Sequence, residues 1–174
     1  MSPPRHINQA LPASVVGGVL ATVTMDAAMV LASRFAAGAF ASDKIGLEMI
    51  GRWAGGLGRE RWRHADITTE PRLRGELAIG LATHYLTGIV LTEAYFLVPR
   101  RSGLRPGFVT ATAYGLATGV LPLLVLYPSM GYGCCARRSG DSARLVRIML
   151  LGHTAFGAGI GLWSVLVRGR AAAQ

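Results

Sequence analysis

An all-α fold, an integral membrane four-helix bundle with a short interfacial helix in its first loop, is what this sequence predicts, and three observations predict it. The 174 residues are 51% hydrophobic and 16% charged, where a soluble domain carries about 25% charged residues. Four stretches, about 11–33, 77–98, 107–128 and 147–167, reach the roughly 20 apolar residues that a helix needs to cross a hydrocarbon core. None of the four carries the charged outer stripe that a soluble bundle helix shows. Residues 1–174 therefore read as a single membrane domain.

The first span contains one charge, Asp26. AGAFA at 37–41 has the small residues of a signal-peptide cleavage site, but the apolar run before it is about 23 residues where such a core is 7–15. The span is expected to be a retained helix. The loop at 34–76 then holds Ile45, Met49, Ile50 and Trp53 at helical spacing, with Asp43 where an N-cap would sit and Gly55 and Gly56 where the helix could end. This is a short amphipathic helix, either lying on the membrane surface or packed over the mouth of the bundle.

The second span carries His84 and Glu93. PRRSGLRPG at 99–107 is expected to be a tight turn, because proline lacks the donor a helix needs. The third span has no charge but contains Gly115, Gly119 and Pro122. The fourth, counted after Arg147, has only His153.

A formal net charge of +9 and a pI near 10.8 raise the question of nucleic acid, as does RERWRH at 59–64 with its alternating basic and aromatic residues. Tryptophan beside arginine is equally what a membrane interface selects, and basic residues there meet anionic lipid. The expected partner is the lipid bilayer, with no nucleic acid. Six Lys and Arg fall on the side of the termini and twelve on the side of the long loop, which favours a cytoplasmic long loop.

At 1.5 Å rise per residue, His84 lies roughly 12 Å inward from Glu76, Asp26 roughly 12 Å from Arg34 and His153 roughly 9 Å from Arg147. One carboxylate and two imidazoles from three helices thus share a level. Each lies in a row of small residues: Gly80 and Gly88 with His84, Gly157 and Gly161 with His153, Gly18 and Thr22 with Asp26. Such rows face neighbouring helices, so the three groups are expected to point inward. An ionised group at that depth costs at least about 2.5 kcal/mol, which makes Asp26, His84 and His153 a candidate site.

Three chemistries compete for it. Two imidazoles and a carboxylate suit a divalent metal, zinc or iron; the same groups can relay protons; haem ranks third, because an acid is an awkward neighbour for a porphyrin edge. The bland reading is that the polar groups satisfy one another and hold helices together. His64, Asp66 and Glu76 form a second group, read as a mouth to the site or as solvated loop charges. Met130, Cys134 and Cys135 in SMGYGCC are soft ligands of the kind that select Cu(I), and the adjacent cysteines make a poor disulfide.

GRWAGGLGRERWRHADI, RGELAIGLATHYLTGI and MGYGCCARRSGDSARLVRIMLLGHTAFGAGIGLW together resemble the bacterial four-span membrane proteins grouped as domain of unknown function 2938. The likeness rests on Gly51-Arg52-Trp53, His64, Gly75-Glu76, His84-Tyr85 with Gly88, Met130 with Gly131 and Gly133, and His153 leading to Phe156-Gly157; the tandem cysteines and ARRSGDSAR are less typical. The resemblance implies a multi-pass protein of the bacterial inner membrane and no particular reaction. The expectation is a non-enzymatic membrane protein with an Asp26/His84/His153 site for metal or protons. Two alternatives stand beside it: an accessory subunit of a larger membrane complex, with a membrane-protein partner or a homo-oligomer, in which the cluster is only glue, and a membrane enzyme, which would need a substrate cavity open to lipid or water.

Overall fold

The computed structural model describes residues 7–35, 45–102 and 106–172, with side chains placed within 14–35, 45–97 and 106–167. The elements are α1 (Ile7–Phe35), α2 (Leu47–Leu57), α3 (Glu76–Ser102), α4 (Phe108–Thr118), a π-helical stretch (Pro122–Leu126), α5 (Tyr127–Ser129), a 3-10 turn (Cys134–Ala136) and α6 (Ser142–Ala172). No strand occurs among the described residues.

Four segments are long and apolar enough to cross a membrane: Ser14–Phe35, Glu76–Leu97, Phe108–Ser129 and Ser142–Val167. They overlap the four expected spans. Large apolar side chains such as Val16, Leu86, Val90, Val109 and Leu162 face outward on all four, a kind of surface that soluble monomers rarely expose. Hydroxyls on these helices turn back on their own backbone, Thr24 to Leu20 and Thr154 to Leu150, which keeps these two donors paired on an apolar surface.

The helices pack in the order α4, α6, α1, α3, with α2 against α3. Backbones meet where glycine replaces a side chain. A Cβ on Gly51 would strike the carbonyl of Glu76, one on Gly80 the carbonyl of Leu47, and Gly115 of α4 meets Gly157 of α6 in the same way. By contrast α3 and α4 scarcely touch; they are tied by Tyr95 Oη to Thr110 Oγ1 at 2.9 Å and by Tyr114 Oη donating to Leu91 O at 2.8 Å.

Two buried clusters result. One, around Ala21, Tyr95, Ala111, Phe156 and Ile160, lies within the four long helices. The other, around Ile67, Tyr127, Met130, Leu145 and Ile148, sits at the loop end, and Met49, Ile50 and Trp53 of α2 pack on it. The amphipathic stripe read from the loop thus covers the bundle. The first loop and the last connector are stitched together there by His64 N to Ser129 O at 2.8 Å and Ile67 N to Met130 O at 3.0 Å.

Several boundaries differ from expectation. Helix α3 runs through Pro99 to Ser102, since a proline removes one hydrogen bond without ending a helix whose other bonds persist. Helix α6 begins at Ser142 rather than 147. Helix α2 starts after Gly46 and continues past Gly55 and Gly56 to Leu57; Asp43 and the AGAFA motif lie outside the described residues. The third span changes hydrogen-bond register at Pro122, where the missing N–H converts five residues to a π-helix.

Candidate functional site

Asp26, His84 and His153 line one cavity of about 470 Å³ between α1, α2, α3, α6 and the π-helical stretch. Its remaining wall is mostly apolar, with Met25, Met29, Leu91, Val125, Met149 and Phe156 among the lining residues. Ile50 and Trp53 of α2 also contribute to the wall. The cavity lies between the two clusters, where α3 and α4 stand apart.

Within it, His84 Nε2 lies 2.9 Å from Asp26 Oδ1, and Tyr85 Oη donates to Asp26 Oδ2 at 2.9 Å. An ionised carboxylate only accepts, so His84 carries its proton on Nε2, and Nδ1 keeps a lone pair with no partner among the described residues. The Asp26 side chain is 41% exposed and that of His84 16%, which leaves the pair accessible from one side rather than sealed.

The geometry at His153 favours the opposite tautomer. Thr118 Oγ1 donates its single proton to Gly115 O at 2.6 Å and stands 2.9 Å from His153 Nδ1. With the Thr118 proton on Gly115 O, Nδ1 is the donor and Nε2 keeps the lone pair. Two imidazoles on different helices are therefore each anchored through one nitrogen, leaving the second nitrogen of each with a lone pair.

That arrangement differs from the three-ligand metal centre. Asp26 and His84 bond to each other rather than converging on a common ion, and the second carboxylate oxygen is taken by Tyr85. Among the described residues no group of three or more His, Cys, Asp and Glu is placed to hold a metal.

The residues read as a mouth, His64, Asp66 and Glu76, do not line the cavity. Glu76 is buried and paired with Arg52 through Nε and Nη2, both at 2.9 Å, and it also accepts from Leu73 N. Asp66 Oδ1 receives the N–H and hydroxyl of Thr68 at 2.9 and 2.7 Å. His64 is buried with Nδ1 3.2 Å from Glu70 Oε1, at an angle that makes no hydrogen bond, and Nε2 is without a partner. Proximity of His64 and of the Arg61 guanidinium holds the Glu70 carboxyl below its usual value, against a smaller desolvation that raises it. These groups form a latch that fastens the first loop to α2 and α3.

The soft-ligand candidates divide. Met130 is fully buried in the loop-end cluster, whereas Cys134 is exposed and Cys135 partly so.

Three participants were not assigned a role from the sequence: Tyr85, Thr118 and Arg52. Tyr85 adjoins His84, and on a helix adjacent residues usually face apart; here both reach the carboxylate of α1, with their rings edge-on at 5.5 Å. Thr118 lies four residues before Pro122, at the turn that the proline disturbs, which is a readable signal. Arg52 interrupts the apolar face of α2, a signal that a buried partner exists.

No curated protein and no solved structure matches the chain. The chain matches the family described as Protein of unknown function (DUF2938) over residues 15–167, a range that takes in the cavity, the latch and, but for Ser14, the four long apolar segments. The chain belongs to that family.

Proposed function

We propose that this is an integral protein of the bacterial inner membrane whose cavity handles protons, with Asp26, His84 and His153 as the working groups. The observation that carries the reading is the Asp26–His84 hydrogen bond at 2.9 Å on the wall of a cavity that His153 also lines. Asp26 fixes the tautomer of His84, so a proton taken at Nδ1 would sit beside a carboxylate rather than as an unpaired charge in an apolar surround. His153 Nε2 is a second acceptor on the same cavity. A carboxylate linked to imidazoles is the composition of intramembrane proton relays.

The test is proton flux into proteoliposomes loaded with a pH-sensitive dye under an imposed potential. Wild type should exceed protein-free vesicles, and His84→Gln and Asp26→Asn should each reduce the flux about tenfold or more, within the range of a lost proton-transfer group. Wild-type flux equal to that of empty vesicles would reject the relay and leave the cluster as a link between helices.

A further inference from the structure

A second cavity, of about 600 Å³, opens at the loop end, lined by Arg63, His64 and Ala65 of the first loop and by Pro128, Gly131, Gly133, Cys134, Arg137 and Arg138 of the last connector. Three arginines and no carboxylate line it. Of the neighbouring carboxylates, Glu76 pairs with Arg52, Glu70 with Arg61 and Asp141 with Arg144, and Asp66 Oδ1 accepts from the N–H and hydroxyl of Thr68. Among the described residues Arg63, Arg137 and Arg138 have no ion-pair partner.

Like charges gathered around one concavity repel unless an anion enters. Arg63 is held in place by stacking over the Trp62 ring, 4.7 Å from its centroid. Arg137 and Arg138 follow a turn in which Cys135 and Ala136 both adopt left-handed backbone, φ 52° and 58°, a conformation that persists only where its surroundings enforce it. At the back of the cavity His64 has a side chain 3% exposed, and its Nε2 finds no partner in the protein, where buried polar atoms are nearly always satisfied.

We propose that this cavity binds a phosphate group, held by the guanidinium groups of Arg63, Arg137 and Arg138. The planar fork of arginine matches phosphate oxygens in pairs, and three such groups line this one cavity. The phosphate is carried by a lipid headgroup or is free in solution; the chemistry of recognition is the same. The site is separate from the Asp26–His84 cavity and does not depend on the proton reading.

The experiment is calorimetric titration of the full chain, delipidated in a maltoside detergent, with dihexanoyl phosphatidylglycerol and separately with inorganic phosphate. Saturable binding is expected, weakened at least about tenfold by the Arg137→Gln/Arg138→Gln pair and by Arg63→Gln. The pair Arg59→Gln/Arg74→Gln removes the same charge outside the cavity and should leave affinity nearly unchanged. If the lipid alone binds, the occupant is a headgroup; if inorganic phosphate binds or displaces it, the site takes free phosphate. No saturable binding of either probe, or equal weakening in both double variants, would overturn the proposal. All substituted residues are exposed, and retention of the wild-type unfolding midpoint checks that the fold survives.

Discussion

Arg52 and Glu76, 24 residues apart in sequence, meet in a bidentate pair with both bonds at 2.9 Å and side chains only 5% and 10% exposed. Arg52 Nη1 also donates to Ile67 O at 3.0 Å and to Glu70 O at 3.2 Å. One guanidinium therefore joins α2, the loop and the start of α3. Removing one member of a buried pair strands the other, a loss of about 3–5 kcal/mol. Arg52→Met or Glu76→Leu should each destabilise the protein by that much in mixed-micelle unfolding. The double variant should recover only part of the loss, because the two carbonyls lose their donor as well. Full additivity of the two single losses would show that the pair is not coupled.

The crossing of α2 over α3 makes a sharper contrast between neighbouring glycines. A Cβ at Gly51 meets the backbone of Glu76, which cannot retreat without moving the helix; one at Gly55 meets Leu73 Cδ1 at 2.6 Å, the end of a rotatable side chain. Gly51→Ala should cost about 3 kcal/mol or more, the upper end for overpacking, and Gly55→Ala much less. Equal unfolding midpoints for the two variants would show that α2 is not packed this way.

The four long helices were legible because hydropathy over 20 residues is a sum that local exceptions do not disturb. Ser14–Phe35 reads as a span despite Asp26. The covering role of α2 was legible as one of two alternatives, since Met49, Ile50 and Trp53 fall on one face whichever surface they meet. What the sequence hid was pairing. Nothing in the spacing of His64, Asp66 and Glu76 says that Arg52 claims Glu76, that Thr68 claims Asp66, and that none lines the cavity. The cluster itself was placed at one level by counting residues from helix ends, and all three of its members line the same cavity. The hydrogen bond that sets its chemistry joins residues 58 apart, a relationship that only packing reveals.

Glu70 gives the latch a pH dependence. Its carboxyl is held below the usual value by His64 and Arg61, so the folded state favours the ionised form. A depressed folded pKa contributes stability above the unfolded value of 4.5 and loses it as pH falls through the folded one. The contribution is modest, because Arg61 is 56% exposed and solvent screens the pair. Glu70→Gln should lower the unfolding midpoint at pH 6 and flatten its fall between pH 6 and pH 3.5 relative to wild type. Parallel curves for the two proteins would place the acid sensitivity elsewhere.

The two histidines of the cavity should be opposite neutral tautomers. Asp26 holds the proton of His84 on Nε2, whereas Thr118, whose own proton goes to Gly115 O, holds that of His153 on Nδ1. Nitrogen-15 solid-state NMR of histidine-labelled protein in bilayers at pH 8, with His84→Gln to assign the signals, reads this directly. Thr118→Val removes the acceptor and should release His153 into the commoner tautomer mixture, while Thr118→Ser, which keeps the hydroxyl, should preserve the Nδ1–H form. The consequence reaches the relay: a His153 that has lost its anchor no longer presents Nε2 as a fixed base. Thr118→Val should therefore slow proton flux and Thr118→Ser should not. A wild-type His153 found as the Nε2–H tautomer would contradict both the hydrogen-bond assignment and the direction of proton acceptance drawn from it.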